Sequence, residues 1–162
     1  VVPMILKGEG IKNTLIISPP GAGKTTMLRD IVRQLSYKSY RVSVVDERSE
    51  IAALCEGRSA FDLGFSTDIL EGVDKAEGML MVLRSMSPDV IVTDEIGKQS
   101  DIDAIERITN SGAAVIATIH GRNIDMIKRR DDLKRMLKFF DLIITLSKRK
   151  GIGTVEEALT EW

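Results

Sequence analysis

Short apolar runs and helical patterns alternate along the chain from end to end. The apolar runs are rich in β-branched residues and are bounded by turn-forming or charged residues, which is typical of buried strands. Between these runs, apolar residues recur three or four positions apart, as on one face of a helix. The predicted strands are 14–18, 41–46, 90–94, 113–120 and 142–146, and the helical patterns run through 27–35, 79–86 and 102–108.

This alternation predicts an α/β fold, a mostly parallel central sheet with helices on both faces. Functional residues are then expected where strands end and loops begin. One segment, residues 55–75, breaks the rhythm because it contains several glycines and has no clean period. We expect it to be a long loop or a small inserted substructure, and loops of that length are often functional.

Composition limits the class of protein. With 162 residues, 43% hydrophobic and 29% charged, the chain is expected to form a single domain, 1–162, with a proper core. A net charge of -1 provides no overall field that would recruit nucleic acid or membrane. The one cysteine, Cys55, cannot form an internal disulfide, which is typical of a reducing compartment. No apolar run approaches the length of a membrane span. Because the first residue is Val1 rather than Met, we expect a domain excised from a longer protein.

Residues 18–25, Ser-Pro-Pro-Gly-Ala-Gly-Lys-Thr, match the phosphate-binding pattern Gly-x-x-x-x-Gly-Lys-Ser/Thr, with serine in place of the first glycine. This segment, called the P-loop below, lies between a predicted buried strand and an amphipathic helix. Its two prolines have no backbone donor, so the amides that follow them are the ones expected to hold phosphate oxygens at the helix N-terminus. Lys24 would reach the β- and γ-phosphates, and Thr25 would offer its hydroxyl to Mg²⁺. The predicted nucleotide-binding residues are Gly21, Ala22, Gly23, Lys24, Thr25 and Thr26.

A second candidate element is "SPDVIVTDEIG", residues 87–97, in which a β-branched run leads into Asp94 and Glu95. An aspartate at the end of a strand can hold Mg²⁺ through water, and the glutamate after it can orient and deprotonate an attacking water. We therefore predict Thr25 and Asp94 as metal-binding residues, and Glu95 and Lys24 as catalytic residues. The alternative interpretation is that Asp94 and Glu95 are two solvated acids at the end of a strand. The P-loop upstream favours the functional interpretation instead.

Two further elements complete the set. The strand 113–120 ends in His120, the only histidine. In P-loop proteins with a catalytic glutamate after the metal-binding aspartate, a further strand lies between the P-loop strand and the aspartate strand, and the resemblance to them makes 113–120 the candidate for it. That position puts Thr118 and His120 beside a γ-phosphate, where an imidazole could sense hydrolysis. The segment "VVDERSEI", residues 44–51, ends the second strand with three acids and Arg48. Its acids could join the Mg²⁺–water network, although a solvated charged turn is nearly as well supported.

In this order, the four elements resemble the secretion-type P-loop ATPases that drive type II and type IV secretion and pilus machines. The matching motifs are SPPGAGKTT, VVDERSE (the acidic "Asp box"), SPDVIVTDEIG and ATIHG (the "His box"). Within that superfamily, "VVDERSEIA" and "KAEGMLMVLRSMSPDVIVTDEIG" are similar to the family of stage III sporulation protein AA. The resemblance spans roughly residues 10–150.

The resemblance implies a RecA-like, ATP/ADP- and Mg²⁺-dependent motor of a channel apparatus between mother cell and forespore. It implies a homo-hexamer, cytoplasmic and docked to membrane-embedded channel proteins, with no specific nucleic acid. It assigns nucleotide binding to 21–26, metal binding to Thr25 and Asp94, catalysis to Glu95 and sensing to His120. Because the Asp box of this superfamily supplies a catalytic acid, Glu47 joins the catalytic candidates, and the choice between Glu95 and the Asp-box acids as the base stays open. The family's N-terminal domain is not present in this chain, which is then a C-terminal domain.

Two other classes of function remain open at this stage. One is an AAA-like DNA- or helicase-loading ATPase, which the basic segment 122–150 would serve; few aromatic residues and no recognisable DNA-binding module argue against it. The other is an ATP-binding assembly scaffold with little turnover, which the complete set of site residues disfavours. An arginine acting from a neighbouring subunit is expected in an oligomeric ATPase, and the candidates are Arg48, Arg58, Arg84 and Arg122.

Overall fold

The computed structural model describes residues 1–8 and 10–162. Strands and helices alternate along this part of the chain, as the hydrophobic pattern predicts. The strands are β1 Leu6–Lys7, β2 Gly10–Ile11, β3 Thr14–Ser18, β4 Val42–Asp46, β5 Leu54–Cys55, β6 Arg58–Ser59, β7 Thr67–Glu71, β8 Val90–Thr93, β9 Ala114–His120, β10 Leu142–Ser147 and β11 Thr154–Leu159. The helices are α1 Val2–Ile5, α2 Lys24–Tyr37, α3 Lys75–Met86, α4 Gln99–Ser111, α5 Ile124–Lys128 and α6 Asp131–Lys134, followed by a 3₁₀ helix at Arg135–Phe139.

Seven of the described strands form the central sheet, in the order β11-β10-β3-β9-β8-β4-β7. All neighbouring strands in it run parallel except β10 and β11, which form an antiparallel hairpin at one edge. The strand β9 lies between β3, which precedes the P-loop, and β8, which precedes Asp94, as the sequence predicts. The predicted α/β fold with a mostly parallel sheet is confirmed.

Helices cover both faces of this sheet. Successive strand residues point to opposite faces: Leu15 and Ile17 of β3 lie in a core with apolar residues of α3, α4 and α5. Ile16 between them lies in the core on the other face, with α1 and α2. Every residue of β3, β4 and β8 is buried, as expected of strands covered on both sides. The prediction of helices on both faces is therefore confirmed.

Helix α3 begins at a capped turn. The carboxylate of Asp74 accepts hydrogen bonds from the backbone N–H groups of Ala76 and Glu77, at 3.1 and 3.3 Å. These bonds satisfy amides that have no partner within the helix itself. The cap fixes Lys75 at the first helical position, and its side chain is directed towards the end of β8, where its ammonium donates to the Glu95 carbonyl.

Residues 55–75 fold in part as regular structure. Strands β5 and β6 pair as a small hairpin, which fits the expected inserted substructure. Strand β7 then joins the central sheet beside β4, so the expectation of a long loop is wrong for 67–71. An edge strand is buried on fewer sides than a central one, and the mixed exposure of β7 explains its weak hydrophobic pattern. Within the described residues, no helix has the length and apolar character needed to cross a membrane.

Candidate functional site

The predicted site residues meet at the carboxyl edge of the parallel strands. The P-loop follows β3, Glu47 follows β4, Asp94 and Glu95 follow β8, and His120 is the last residue of β9. Because β3 and β9 are in parallel register, Ser18 at the start of the P-loop lies opposite His120. Strand β8 ends at Thr93, one residue earlier than predicted, which leaves Asp94 and Glu95 in the following loop.

The P-loop has the backbone conformation that its glycines allow. Gly21 and Gly23 have φ values of 67° and 88°, in the left-handed region that other residues rarely adopt. Gly23 is the N-cap of α2, so the amides of residues 21–26 lie at the positive end of a long helix. A Cβ atom on Gly23 would lie 2.8 Å from Cγ2 of Ile152 and 3.1 Å from the backbone nitrogen of Gly153. Both backbone angle and space therefore require glycine at position 23.

The contact with Ile152 comes from a segment that the sequence did not connect with the P-loop. The β10–β11 connection, residues 148–153, lies against it, and the N–H of Gly153 donates a 2.9 Å hydrogen bond to the carbonyl of Ala22. The ammonium of Lys148 lies 3.0 Å from where a Gly21 Cβ would be. Between this connection and α2 is an open cleft of about 270 Å³, lined among others by Met27, Asp30 and Ile152. Its walls are a continuation of the P-loop surface.

Lys24 and Glu95 are joined directly. The Lys24 ammonium donates a hydrogen bond to Oε1 of Glu95, and a guanidinium nitrogen of Arg48 lies 3.8 Å from Oε2. The Lys24 hydrogen bond lowers the pKa of Glu95; partial burial opposes it, and the positive charges of Lys24 and Arg48 add to the lowering. Glu95 is therefore an ionised carboxylate at neutral pH. Arg48, a candidate for action across subunits, contacts Glu95 of its own chain.

A second lysine, missed by the sequence analysis, lies within the site. Lys75 is only 4% exposed, and its ammonium is 3.0 Å from Oδ1 of Asp94 and 3.7 Å from a carboxylate oxygen of Glu47. It also donates a 3.1 Å hydrogen bond to the main-chain carbonyl of Glu95. Lys75 therefore links the loop after β4 to the loop after β8. One sequence signal was available, because a lysine at the first position of a helix opposes the helix dipole and needs nearby acids.

The Asp94 carboxylate fits a role as a metal ligand. Its Oδ1 atom is buried and accepts no hydrogen bond from the described residues, although the Lys75 ammonium is close to it. A buried carboxylate oxygen with free acceptor capacity is suited to Mg²⁺ or to a water that Mg²⁺ holds. Thr25, at the start of α2, is the predicted hydroxyl ligand. Within residues 1–8 and 10–162 there is no group of three or more His, Cys, Asp or Glu side chains placed to hold a metal without other ligands.

The acids of the Asp box divide into two roles. Both carboxylate oxygens of Asp46 are occupied, because they accept backbone N–H bonds of 2.8 to 2.9 Å from residues 50, 51 and 52. Asp46 is fully buried, and its carboxylate organises the turn after β4. Glu47 faces the site instead, where it lies near Lys75 and, at 3.9 Å, near Lys98. Of these two acids, Glu47 is the one placed to act on a ligand.

A depression of about 600 Å³ lies at the opposite, amino-terminal edge of the sheet. It is lined by segments that precede β4, β8 and β9, among them the Arg41–Asp89 ion pair of 2.7 Å. None of the predicted site residues lines it. The predicted site residues therefore lie at the P-loop edge of the sheet, although the cleft at that edge is smaller than this depression.

The parallel sheet, the P-loop before α2 and the acids after β8 define the fold class of the RecA-like P-loop ATPases. The fold is similar to that of the ATPase DotB of Legionella pneumophila, with a TM-score of 0.65, 20% identity, and coverage of 89% of this chain and 42% of DotB. It is also similar to the VirB11 ATPase of the Brucella suis type IV secretion system, with a TM-score of 0.64, 15% identity, and coverage of 91% and 47%. The pilus retraction motor PilT, solved with bound ADP, matches with a TM-score of 0.61 and 20% identity over 83% of this chain and 42% of PilT.

The chain belongs to the family "Sporulation stage III, protein AA", whose model matches residues 1–161. It is 43% identical over 152 residues to stage III sporulation protein AA of Bacillus subtilis, covering 90% of this chain and 50% of that protein. It is 30% identical over 133 residues to the protein SEEDLING PLASTID DEVELOPMENT 1 of Arabidopsis thaliana, covering 80% of this chain and 19% of that protein. The chain thus spans half the length or less of these relatives. The family resemblance predicted from the motifs is confirmed.

Proposed function

We propose that this chain is the Mg²⁺-dependent ATPase domain of a secretion-like channel apparatus that works during sporulation, between mother cell and forespore. The observation that carries the proposal is the meeting of Lys24 and Glu95 between the P-loop and the end of β8. A P-loop lysine in contact with an ionised carboxylate joins the two groups that phosphoryl transfer to water requires. Membership in the sporulation family, together with the fold shared with secretion ATPases, supports the biological setting.

ATP binding begins with the P-loop amides of residues 21–26, which hold the phosphate oxygens at the N-terminus of α2. Lys24 exchanges Glu95 for the β- and γ-phosphates, whose oxygens carry more negative charge than a single carboxylate. The cleft between α2 and the β10–β11 connection continues from the P-loop, so it receives the nucleoside. Ile152 and Met27 provide its apolar surface, which suits a planar base.

In the hydrolysis step, the Glu95 carboxylate acts on water, because Lys24 now binds the phosphates instead of Glu95. Glu95 orients the attacking water and accepts its proton, and Lys24 stabilises charge on the phosphoryl group in the transition state. Thr25 and Asp94 would help to hold Mg²⁺, which would supply further charge stabilisation for the phosphates. Glu47 lies close enough to the same site to assist with the water. His120, at the end of β9, responds to the loss of the γ-phosphate.

The active assembly in this proposal is a homo-hexamer, cytoplasmic and attached to a membrane through membrane-embedded channel proteins of the sporulation apparatus. Arg48 lies 3.8 Å from Glu95 of its own subunit, so an arginine acting from a neighbour would be sought first among Arg58, Arg84 and Arg122, with Arg48 kept as the fourth candidate. The parts of the relatives' length that this chain does not span would contribute to assembly.

The test is a pair of measurements on Glu95→Gln: binding of a fluorescent ATP analogue and phosphate release from ATP with Mg²⁺. We expect binding close to that of the wild type, with turnover lower by about 10² to 10⁴-fold, the usual contribution of a general base. Glu106→Gln, an exposed residue of α4, is the matched control and should leave both unchanged. Wild-type turnover that Glu95→Gln does not reduce would reject Glu95 as the base. Binding without any wild-type turnover, in the full-length protein as well, would favour the assembly scaffold, and salt-dependent DNA binding would favour the DNA-loading alternative.

A further inference from the structure

Lys75 has no role in the reaction proposed above, yet it is the most buried cation of the site. Its side chain is 5% exposed, compared with 17% for Lys24 and 63% for Lys98. Burying an ammonium group is costly unless acids and hydrogen bonds compensate for it. At the first position of α3 the helix dipole adds to that cost. Because of this cost, we expect Lys75 to have a function in addition to packing.

The compensation comes from Asp94, Glu95 and Glu47. The Lys75 ammonium lies 3.0 Å from Oδ1 of Asp94 and 3.7 Å from the Glu47 carboxylate, and it donates to the Glu95 carbonyl. The acid predicted to hold a metal ion is thus already paired with a cation. We propose that Lys75 is a fixed counter-ion for Asp94 that keeps divalent metal off this carboxylate until a nucleotide supplies phosphate oxygens as further ligands. Since the metal is that of the ATPase reaction, the inference rests on the proposed function.

The two lysines of the site differ in how easily they can leave their acids. Lys24 belongs to the P-loop, and phosphate oxygens offer it an alternative partner. Lys75 is held by the capped first turn of α3 and by a main-chain carbonyl, and its side chain is almost completely buried. The Lys24–Glu95 pair is therefore exchangeable, whereas the Lys75–Asp94 pair persists when ligands bind.

A persistent ammonium beside Asp94 has a definite electrostatic consequence. A divalent cation approaching this carboxylate is repelled by Lys75 at short range, and burial strengthens that repulsion. Asp94 still keeps acceptor capacity, because its Oδ1 lies 3.0 Å from the Lys75 ammonium but accepts no hydrogen bond from the described residues, and an ionised carboxylate has a second acceptor oxygen. The negative phosphate oxygens of a bound nucleotide then offset the repulsion by Lys75, so that the metal ion binds. The protein would thus take up the metal only together with its nucleotide.

Mn²⁺ binding to the nucleotide-free protein, measured by electron paramagnetic resonance, tests this inference without relying on turnover. We expect weak binding by the wild type and binding tighter by about tenfold or more in Lys75→Gln, which removes the charge but keeps a donor for the Glu95 carbonyl. Adding Asp94→Asn to Lys75→Gln should make binding weak again. Lys98→Gln is the matched control, because Lys98 is a neighbouring lysine that pairs with Asp74 and Glu47 but not with Asp94. It should bind Mn²⁺ as the wild type does.

Two results would overturn the inference. One is Mn²⁺ binding by folded Lys75→Gln that is no tighter than in the wild type, which would leave Lys75 only a structural role. The other is a wild type that binds Mn²⁺ as tightly without nucleotide as with ADP, a result that decides the matter even if the Lys75 variants fail to fold. A parallel titration with ADP separates the two proposals. A wild type that binds no ADP would refute the proposed function. The Mn²⁺ affinities of wild type and Lys75→Gln without nucleotide would still test whether Lys75 weakens metal binding.

Discussion

The ammonium of Lys24 and the carboxylate of Glu95 are paired with each other across the mouth of the site, between the P-loop and the loop after β8. In the proposed reaction each of them has a different partner, a phosphate for Lys24 and a water for Glu95. The pair therefore keeps both groups occupied while no nucleotide is present. A nucleotide that captures Lys24 makes Glu95 available in the same event, so binding prepares the base for catalysis.

Lys24→Ala should weaken ATP binding by about tenfold to a hundredfold, the usual effect of removing a hydrogen bond between charged groups. Lys38→Ala, at the opposite end of α2, is the matched control and should bind as the wild type does. Isothermal titration calorimetry with ADP and with a non-hydrolysable ATP analogue measures both affinities. Equal affinities for Lys24→Ala and the wild type would show that the phosphates bind elsewhere.

The pH dependence of stability should report the Lys24–Glu95 pair. Because the folded state lowers the pKa of Glu95, first through the Lys24 hydrogen bond, its stabilisation is present above the ordinary glutamate pKa of about 4.3 and is lost as the pH falls through the folded value. The difference in unfolding free energy between wild type and Glu95→Gln, measured in urea, should therefore shrink from pH 7 towards pH values below that ordinary pKa.

Salt provides the control for this experiment. Since the Glu95 side chain is 38% exposed, the difference at pH 7 should also become smaller at high salt concentration. A difference in stability that stays constant with pH would mean that the pair does not form in solution.

Ile152→Ala should weaken ATP binding by about fivefold, since it removes roughly 1 kcal/mol of apolar contact from the cleft beside the P-loop. The maximal turnover rate should stay unchanged, because Ile152 contacts the P-loop at Gly23, whereas Glu95 is contacted by Lys24 and Arg48. Met126→Ala removes another exposed apolar side chain, from α5, and serves as the control. Steady-state kinetics separates the two parameters, and a lower turnover rate at an unchanged KM would argue against a cleft that binds the nucleoside.

Gly78→Ala should destabilise the protein although alanine favours helices. A Cβ on Gly78 of α3 would lie 2.7 Å from Cγ1 of Val45 in β4. Overpacking of this kind costs about 1–3 kcal/mol, which outweighs the gain of about 1 kcal/mol in helix propensity. Thermal unfolding compares it with Ser85→Ala, an exposed position of the same helix that should change stability by no more than about 0.5 kcal/mol. A Gly78→Ala variant as stable as the wild type would mean that α3 can move away from the sheet.

Much of the site could be predicted because its residues belong to contiguous motifs at strand ends. The P-loop, Asp94, Glu95 and His120 each follow a strand with a clear apolar pattern, and parallel topology brings such ends together. The resemblance to P-loop proteins also predicts the position of β9 between β3 and β8.

The features that were missed depend on contacts between distant segments. Lys75 meets Asp94 only because α3 packs beside β8, and nothing in the irregular segment before it shows that packing. Ile152 meets Gly23 because β10 lies next to β3 in the sheet, which brings the β10–β11 connection against the P-loop. The edge strand β7 was missed because its residues are only partly buried.

The central claim, that this edge of the sheet hydrolyses ATP, is tested most directly by Mg²⁺-dependent phosphate release from ATP, measured against protein concentration for wild type and Lys24→Ala. We predict a rate per subunit that rises with concentration as subunits assemble, and a rate near background for Lys24→Ala at every concentration. A wild-type rate no higher than that of Lys24→Ala over the same range, in the full-length protein as well as in this chain, would contradict the claim.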